Sequence, residues 1–446
     1  MTDSTPVPTL ILGAGLTGLS CADHLGDPSR YRLIEKHPTH VGGLAKTLVR
    51  PHGFLCDGTG HWLHLATEDM RRYVDEILGD NLSPRERRAR IYSKGVFTLY
   101  PFQANTFGLP KEVVAECLLG LVRAKYEEKL PPPENYEQWI RKEFGEGIAK
   151  HFMFPYNRKI YGVPLSTLSA GFAERYVPRP SVEAVINGAL GLSKEALGYN
   201  ARFVYPRSGG IGALSEGIHK KLGRKAEHAR TPTAIDLVRR TATLNGGELV
   251  SFTSLVNTIP LPELVQLAAR GNPSSVPEHI VDAAARLRAN SVLYFDVAIR
   301  GTPQEHQDYH WIYFPELDLP FYRVGSYSAV ERTLAPKGHR SYYVEISQVG
   351  DLDPSHFEQP VIEGLKRVGI LEDERDLVFM IPNVLSPAYV LVDHAYEAAR
   401  KSILDFLATF PVMTVGRYGR WQYNAMEDAL REGKESARWS AERART

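Results

Sequence analysis

Residues 9–20 read TLILGAGLTGLS: an apolar run, a turn with Gly13, Gly15 and Gly18 in G-x-G-x-x-G spacing, then a helical pattern to Leu25. Few features restrict a fold as much. The run predicts a buried strand, the glycines a tight turn and the pattern behind them a helix, which together open a βαβ unit of a parallel sheet. Glu35 closes the next apolar stretch, YRLIE, near the ~20-residue offset at which an acid accepts from ribose hydroxyls. Free N–H groups and the dipole at the start of such a helix favour an anion, and the glycines let a pyrophosphate approach. The unit predicts dinucleotide binding.

The stretch HPTHVGGLAKT follows at 37–47. A second glycine pair, Gly42-Gly43, so soon after the acid is what FAD enzymes of the two-dinucleotide-binding, glutathione-reductase-like type place beside the flavin diphosphate. FAD is therefore favoured over NAD.

The chain has 446 residues, 53 basic and 52 acidic, for a net charge of +1. Length gives a prior of roughly two to three domains. The charge balance points away from nucleic acid and from an anionic membrane as partners. Cys21, Cys56 and Cys117 are scattered without C-x-x-C spacing, so neither a disulfide framework nor a metal site is expected. The opening MTDSTPVPTLILGAGL has neither the basic region of a signal peptide nor the length of a membrane span. A cytoplasmic protein is expected.

The pattern along the chain predicts an α/β fold in three parts. Residues 110–129 and 136–153 carry apolar residues at helical spacing around a helix-breaking LPPPEN, which makes 104–199 a helical substrate or lid domain. Stretches 291–300, 308–314, 320–328 and 341–348 alternate or run β-branched and aromatic, and read as strands of one antiparallel sheet in a 280–399 domain. Residues 1–95, 200–275 and 400–446 remain for a discontinuous Rossmann-like FAD domain. Its last piece, 424–445, reads as a charged helix with a solvated outer face.

One further stretch, CDGTGHWLH at 56–64, reads by itself as a turn with a solvated histidine. Its neighbours change that. VGGLAKT, DGTGHWLH, LYPFQAN (99–105), FPYNRKIYGVP (154–164), AERYVPRP (173–180), YNARFVYPRSGGIG (199–212), WIYFPELDLPFYR (311–323) and GRYGRWQY (416–423) together resemble the UDP-galactopyranose mutase family, its eukaryotic-type branch most.

The resemblance implies a redox-neutral isomerase that interconverts the pyranose and furanose rings of a nucleotide-linked hexose. Reduced FAD would supply the nucleophile, its N5 attacking the anomeric carbon, with NAD(P)H or another reductant keeping it reduced. A released diphosphate must be held, and arginine suits this because its planar fork matches phosphate oxygens. Arg175 and Arg323 fall at the family's two gripping arginines, Arg175 in a proline-flanked loop expected to move and Arg323 in a strand expected to be fixed. Tyr313, Tyr389 and Tyr423 would add uncharged phosphate donors. Tyr100, Phe102, Gln103, Asn157 and Tyr161 would hold the base and nucleotide by stacking and edge contacts. The same resemblance sets His61 beside the flavin ring close to N5, as one of the donors around an electron-rich ring. It gives Gly13, Gly15, Gly18, Glu35, Gly42, Gly43, Leu44, Gly60 and Arg417 to the FAD side.

The sequence also departs from the family pattern. Arg158 and Tyr161 replace an apolar residue and a tryptophan of eukaryotic-type members, and Glu427 falls where an asparagine touches phosphate. An arginine near the base suits a guanine carbonyl, so UDP- and GDP-linked hexoses both stay open, as does a homo-oligomer. Two other readings share the FAD motifs: an amine-oxidase- or desaturase-like flavoenzyme, and a nucleotide sensor without turnover.

Overall fold

The computed structural model describes residues 6–127, 130–172, 177–192, 202–301, 309–350 and 352–443. Val7–Leu12, the run before the glycine turn, is a central strand whose Leu10, Ile11 and Leu12 have no exposed surface. It pairs in parallel with Tyr31–Ile34 on one side and Leu249–Asn257 on the other. The far edge of Leu249–Asn257 takes Val412–Thr414 in parallel along one half. Its other half takes the antiparallel hairpin Thr241–Leu244 and Pro232–Asp236. Pieces far apart in sequence thus share one doubly covered sheet.

The helix Leu16–Leu25 follows the turn, and the C-terminal helix Met426–Arg443 lies against it. Its outer face is solvated as expected, with Arg431, Glu435, Arg438 and Glu442 exposed, while its inner face packs. Gly433, Ser436, Ala437 and Ser440 are buried, and a methyl group on Gly433 would press into Thr17 and Ser20. Small residues at helical spacing let the two backbones approach, a signal masked by the surrounding charges.

The second sheet has seven strands in the order Leu377–Leu385, Ser291–Arg300, His339–Gln348, Arg323–Ser326, Trp311–Tyr313, Ala89–Ser93, Val96–Leu99. The four stretches read as strands do pair here. One junction, Trp311–Tyr313 with Ala89–Ser93, is parallel. Residues 89–93 therefore extend this sheet rather than the nucleotide-binding one, and a first piece reaching residue 95 runs too far. The strand Ala89–Ser93 is short and follows directly on the charged run RERR at 85–88, without the alternation that marked its neighbours.

One face of this sheet is apolar. Leu293, Phe295, Ile312, Val324 and Val344 pack there with Val361 and Leu365 of the helix Glu358–Arg367. The other face carries tyrosines and charges and turns towards the nucleotide-binding part. Against the second sheet stand the helices Lys111–Val122, Tyr136–Ile148, Phe154–Tyr161 and Val182–Ala189, with their own core around Trp139, Ile140, Phe144 and Phe152. Among the described residues no helix is long and apolar enough to cross a membrane.

Candidate active site

The cofactor cradle is built by the first turn. Gly13 holds φ of 94°, and a side chain at Gly18 would overlap the Gly13 carbonyl, so neither position tolerates another residue. The helix behind it starts at Gly15 with no side-chain cap and no acid in its first turn, which leaves its N–H groups for an external anion. Gly15 bridges to Gly42, and the Gly42 amide donates to Ala14 O at 2.7 Å, bringing the second glycine pair and Leu44 to the same place. Glu35 is buried and accepts from the Ala14 and His37 amides, each at 2.8 Å. Its oxygens are immobilised with lone pairs to spare. These features fit a dinucleotide diphosphate and its ribose.

The polar sheet face supplies the next layer. Register places Tyr313, Arg323, Glu345 and Tyr294 side by side on four neighbouring strands. Arg323 donates from Nε and Nη2 to the two oxygens of Glu345, the second bond being 2.8 Å. The guanidinium lies 5.8 Å over the Tyr322 ring and 5.9 Å over Tyr343. The Glu345 charge lifts the Arg323 pKa despite its burial, so it stays cationic. The Arg323 expectation of a fixed residue agrees with this geometry. Arg175 lies outside the described residues.

Arg417 is a second, partly buried cation. Its Nη2 donates to Ala388 O at 3.2 Å, and its guanidinium sits over the rings of Tyr423 at 4.9 Å, Tyr389 at 5.8 Å and Tyr418 at 5.8 Å. Its Nε is buried without a hydrogen-bond partner. A buried donor with no acceptor is costly, and a bound anion or cofactor oxygen would satisfy it. Tyr389 lies within electrostatic reach of both Arg323 and Arg417.

The DGTGH segment lies between these groups. Gly58 takes φ of 78°, and a methyl group on Gly60 would overlap the Tyr343 hydroxyl. The Gly60 requirement thus comes from the sheet packed behind it. The Asp57 side chain ties the segment back: it accepts from Thr47 Oγ1 at 2.6 Å, from Tyr205 Oη and from Ile211 N at 3.2 Å. Burial pushes this acid up to about 6 against the pull of those donors.

His61 Nδ1 contacts Thr59 O at 3.3 Å. A carbonyl can only accept, so Nδ1 carries the proton and Nε2 keeps its lone pair. Burial, opposed by that bond and assisted by the charges of Arg417 and Arg323, pulls the ring down to about 4. His61 is therefore neutral at pH 7 and presents an acceptor, where the sequence reading had a donor. His64 donates from Nδ1 to Arg202 O at 2.9 Å and is structural.

On the nucleotide side the structure divides the expected residues. The Tyr100 ring lies 5.3 Å from Tyr313 and carries Arg87 at 4.6 Å, and Tyr161 meets Tyr389 at 6.3 Å. These stand with the cluster. Phe102 does not: it has no exposed surface and stacks on Phe152 at 4.8 Å inside the helical core. Asn157 is buried, accepting from Tyr136 Oη at 3.2 Å and donating to Met153 O at 2.6 Å, so both ends of its amide are bonded within the fold. Gln103 is buried too and donates to Pro178 O at 2.8 Å. Arg158 is exposed, its guanidinium 5.7 Å over the Phe154 ring. Glu427 is engaged within the fold: it accepts from the Ala66 and Thr67 amides at 2.8 Å each, just ahead of the helix Glu68–Leu78. Motif position marked these residues; their neighbours, distant in sequence, decide their work.

Two residues were missed. Tyr156 sits edge-on to Tyr313 at 5.3 Å, inside the quoted FPYN motif. Glu345 was invisible because only strand register pairs it with Arg323.

Residues 11–77 match the model of an NAD(P)-binding Rossmann-like domain. A crystal structure of reduced UDP-galactopyranose mutase is similar over 97% of this chain and 93% of its own, with a TM-score of 0.91 and 27% identity. The dTDP-fucopyranose mutase of Escherichia coli is 22% identical over 174 residues. That stretch is 37% of this chain and spans only 45% of the mutase. A putative protoporphyrinogen oxidase from Exiguobacterium matches at a TM-score of 0.73 and 15% identity, covering 100% of both chains, a likeness of fold alone. Motifs and whole fold point to the same relatives: the chain is built like UDP-galactopyranose mutase from end to end.

Proposed function

We propose that this structural relative of UDP-galactopyranose mutase is itself a flavin-dependent isomerase, interconverting the pyranose and furanose forms of a nucleoside-diphosphate hexose. The observation that carries the reading is the convergence of two partly buried cations, Arg323 and Arg417, with tyrosines and the DGTGH segment. An oxidase acting on an apolar substrate has no use for converging cations of this kind; a leaving diphosphate does.

The cradle of Gly13, Gly15, Gly18, Glu35 and Gly42-Gly43 would hold the FAD. When bound and reduced, the flavin supplies the nucleophile for the anomeric carbon. The chain does the rest. Arg323, kept in one orientation by Glu345, offers the diphosphate a directed charge, and Arg175 would grip it from the loop side. Arg417 and the hydroxyls of Tyr313, Tyr389 and Tyr423 add donors without carboxylate competition. Together they stabilise the departing charge and retain it for return. His61, neutral, orients without adding a third positive charge. Rings of Tyr100, Tyr156 and Tyr161 wall the nucleotide side against water.

In this reading the FAD-holding part is assembled from the chain's beginning, its 200–275 stretch and its C-terminus. The protein works in a reducing cytoplasm, takes electrons from NAD(P)H or a similar reductant, and UDP or GDP carries the sugar. The test is conversion of a nucleoside-diphosphate hexopyranose to its furanose by purified protein, with and without dithionite. Turnover only after reduction is expected; equal turnover by the oxidised protein would overturn it.

A further inference from the structure

Lys159 stands in the stretch FPYNRKIYGVP. It lies on the helix Phe154–Tyr161, between Asn157 and Tyr161, yet its ammonium leaves that helix altogether. Nζ donates to three main-chain carbonyls of one loop: Phe314 O at 2.9 Å, Glu316 O at 2.8 Å and Phe321 O at 2.5 Å. That loop joins Trp311–Tyr313 to Arg323–Ser326. Phe314 directly follows Tyr313, and Phe321 stands two residues before Arg323.

The loop's side chains go the other way. Phe314, Leu319 and Phe321 are buried in the apolar core under the sheet, and Phe321 presses on Gly364 so closely that a side chain there would collide. The Phe314 amide donates to Tyr322 O at 2.9 Å, closing the hairpin above them. Carbonyls turned away from that core need donors, and a single ammonium with three N–H groups meets three of them.

We propose that Lys159 is a positioning residue for the diphosphate clamp: it fixes the span between the nucleotide-side helix and Arg323. This rests on the function proposed above. Tyr156 and Tyr161 are on the helix that Lys159 belongs to, and Tyr313 and Arg323 flank the loop it holds. A nucleoside diphosphate contacts both sides at once, so a small change in their separation costs affinity without touching either contact. A misplacement near 1 Å can cost on the order of 100-fold in a pre-organised site.

The experiment compares wild type, Lys159→Met, Lys159→Arg, Arg323→Lys and the double variant Lys159→Met/Arg323→Lys. Each is assayed for bound flavin, unfolding midpoint and affinity for UDP and GDP. Lys159→Met should keep its flavin and lose about 10-fold or more in nucleoside-diphosphate affinity. Lys159→Arg should recover part of it, since a planar fork keeps the charge but cannot meet three converging carbonyls. If Lys159 acts through Arg323, the losses will be non-additive and the double variant no worse than the weaker single one. Should Lys159→Met not fold, the Lys159→Arg arm carries the same comparison. A lowered midpoint with unchanged affinity, or strictly additive losses, overturns the positioning role. A wild type that binds neither nucleotide overturns the proposed function instead.

Discussion

The Arg323 guanidinium and the Glu345 carboxylate meet edge to edge across adjacent strands, Nε on one oxygen and Nη2 on the other. Glu345 is 2% exposed. Removing the arginine alone strands a buried carboxylate, which costs about 3–5 kcal/mol, whereas removing both charges costs far less. Arg323→Met should therefore unfold at markedly lower denaturant than wild type, and Arg323→Met/Glu345→Gln should recover most of that stability. Neither should bind a nucleoside diphosphate well. Recovered stability without recovered binding, read from urea midpoints beside nucleotide titrations, separates the arginine's work on the ligand from its share in the fold. Equal midpoints for single and double variants would contradict it.

His61 makes a pH prediction of definite sign. Its folded pKa of about 4 lies below the ordinary value of 6.5, so the unfolded chain takes the proton first as pH falls. Stability attributable to this group is intact above pH ~7, declines between the two pKa values and is level below pH 4, by at most about 3 kcal/mol in all. Asp57 runs the other way: its folded pKa of about 6 lies above the usual carboxylate value, so its contribution grows as pH falls from about 6 towards 4. His61→Gln should remove the loss and leave the Asp57 gain, flattening or reversing the acid slope of Tm without changing it above pH ~7.5. An unaltered slope would mean that the imidazole takes up its proton in the folded protein at the same pH as in the unfolded chain.

Gly60 and Tyr343 form a pair that a compensating change can expose. A methyl group at Gly60 overlaps the Tyr343 hydroxyl, whose oxygen is buried without a hydrogen-bond partner. Gly60→Ala should lose about 1–3 kcal/mol from overpacking. Tyr343→Phe removes an unpaired polar atom and should be nearly neutral. The double variant Gly60→Ala/Tyr343→Phe should regain part of the loss, because the ring itself still crowds the new methyl. No rescue would show that the glycine answers to something other than the sheet.

What could be read from the sequence follows contact distance. Gly13, Gly15, Gly18 and Glu35 lie within one βαβ unit, and local pattern alone located them. The strands from residue 291 onward showed their alternation, and their residues do share one sheet. Arg323 was reached by motif, but its partner Glu345 depends on register 22 residues away, which no local pattern encodes. Phe102 and Asn157 sit in motifs beside other site residues, and only tertiary packing shows that both are bound into the helical core. The small residues of the last helix were hidden for the opposite reason: its charges dominate the composition while its buried stripe does the packing.

The same packing decides how the base is chosen. An arginine beside the base was the reason to keep a guanine nucleotide open, yet Arg158 is exposed and lies over the Phe154 ring, on which Arg141 also sits at 4.7 Å. The Asn157 amide is tied to Tyr136 and Met153, and the Gln103 amide donates to Pro178 O. The aromatic groups left on this side are Tyr100 and Tyr161, whose rings stack on any base, while Tyr156 already stacks on Phe152 at 5.1 Å. Arg158→Ala should therefore shift affinity for UDP, GDP and dTDP by less than about twofold, a change below 0.5 kcal/mol. Asn157→Ala should lower the unfolding midpoint, since it orphans the Tyr136 hydroxyl and the Met153 carbonyl, and should leave the ranking of the three nucleotides unchanged. Titrating the reduced protein with the three nucleoside diphosphates, for wild type and both variants, checks this directly. A selective loss of GDP binding in Arg158→Ala would show that the arginine swings to the base, and would make guanine the base this protein reads.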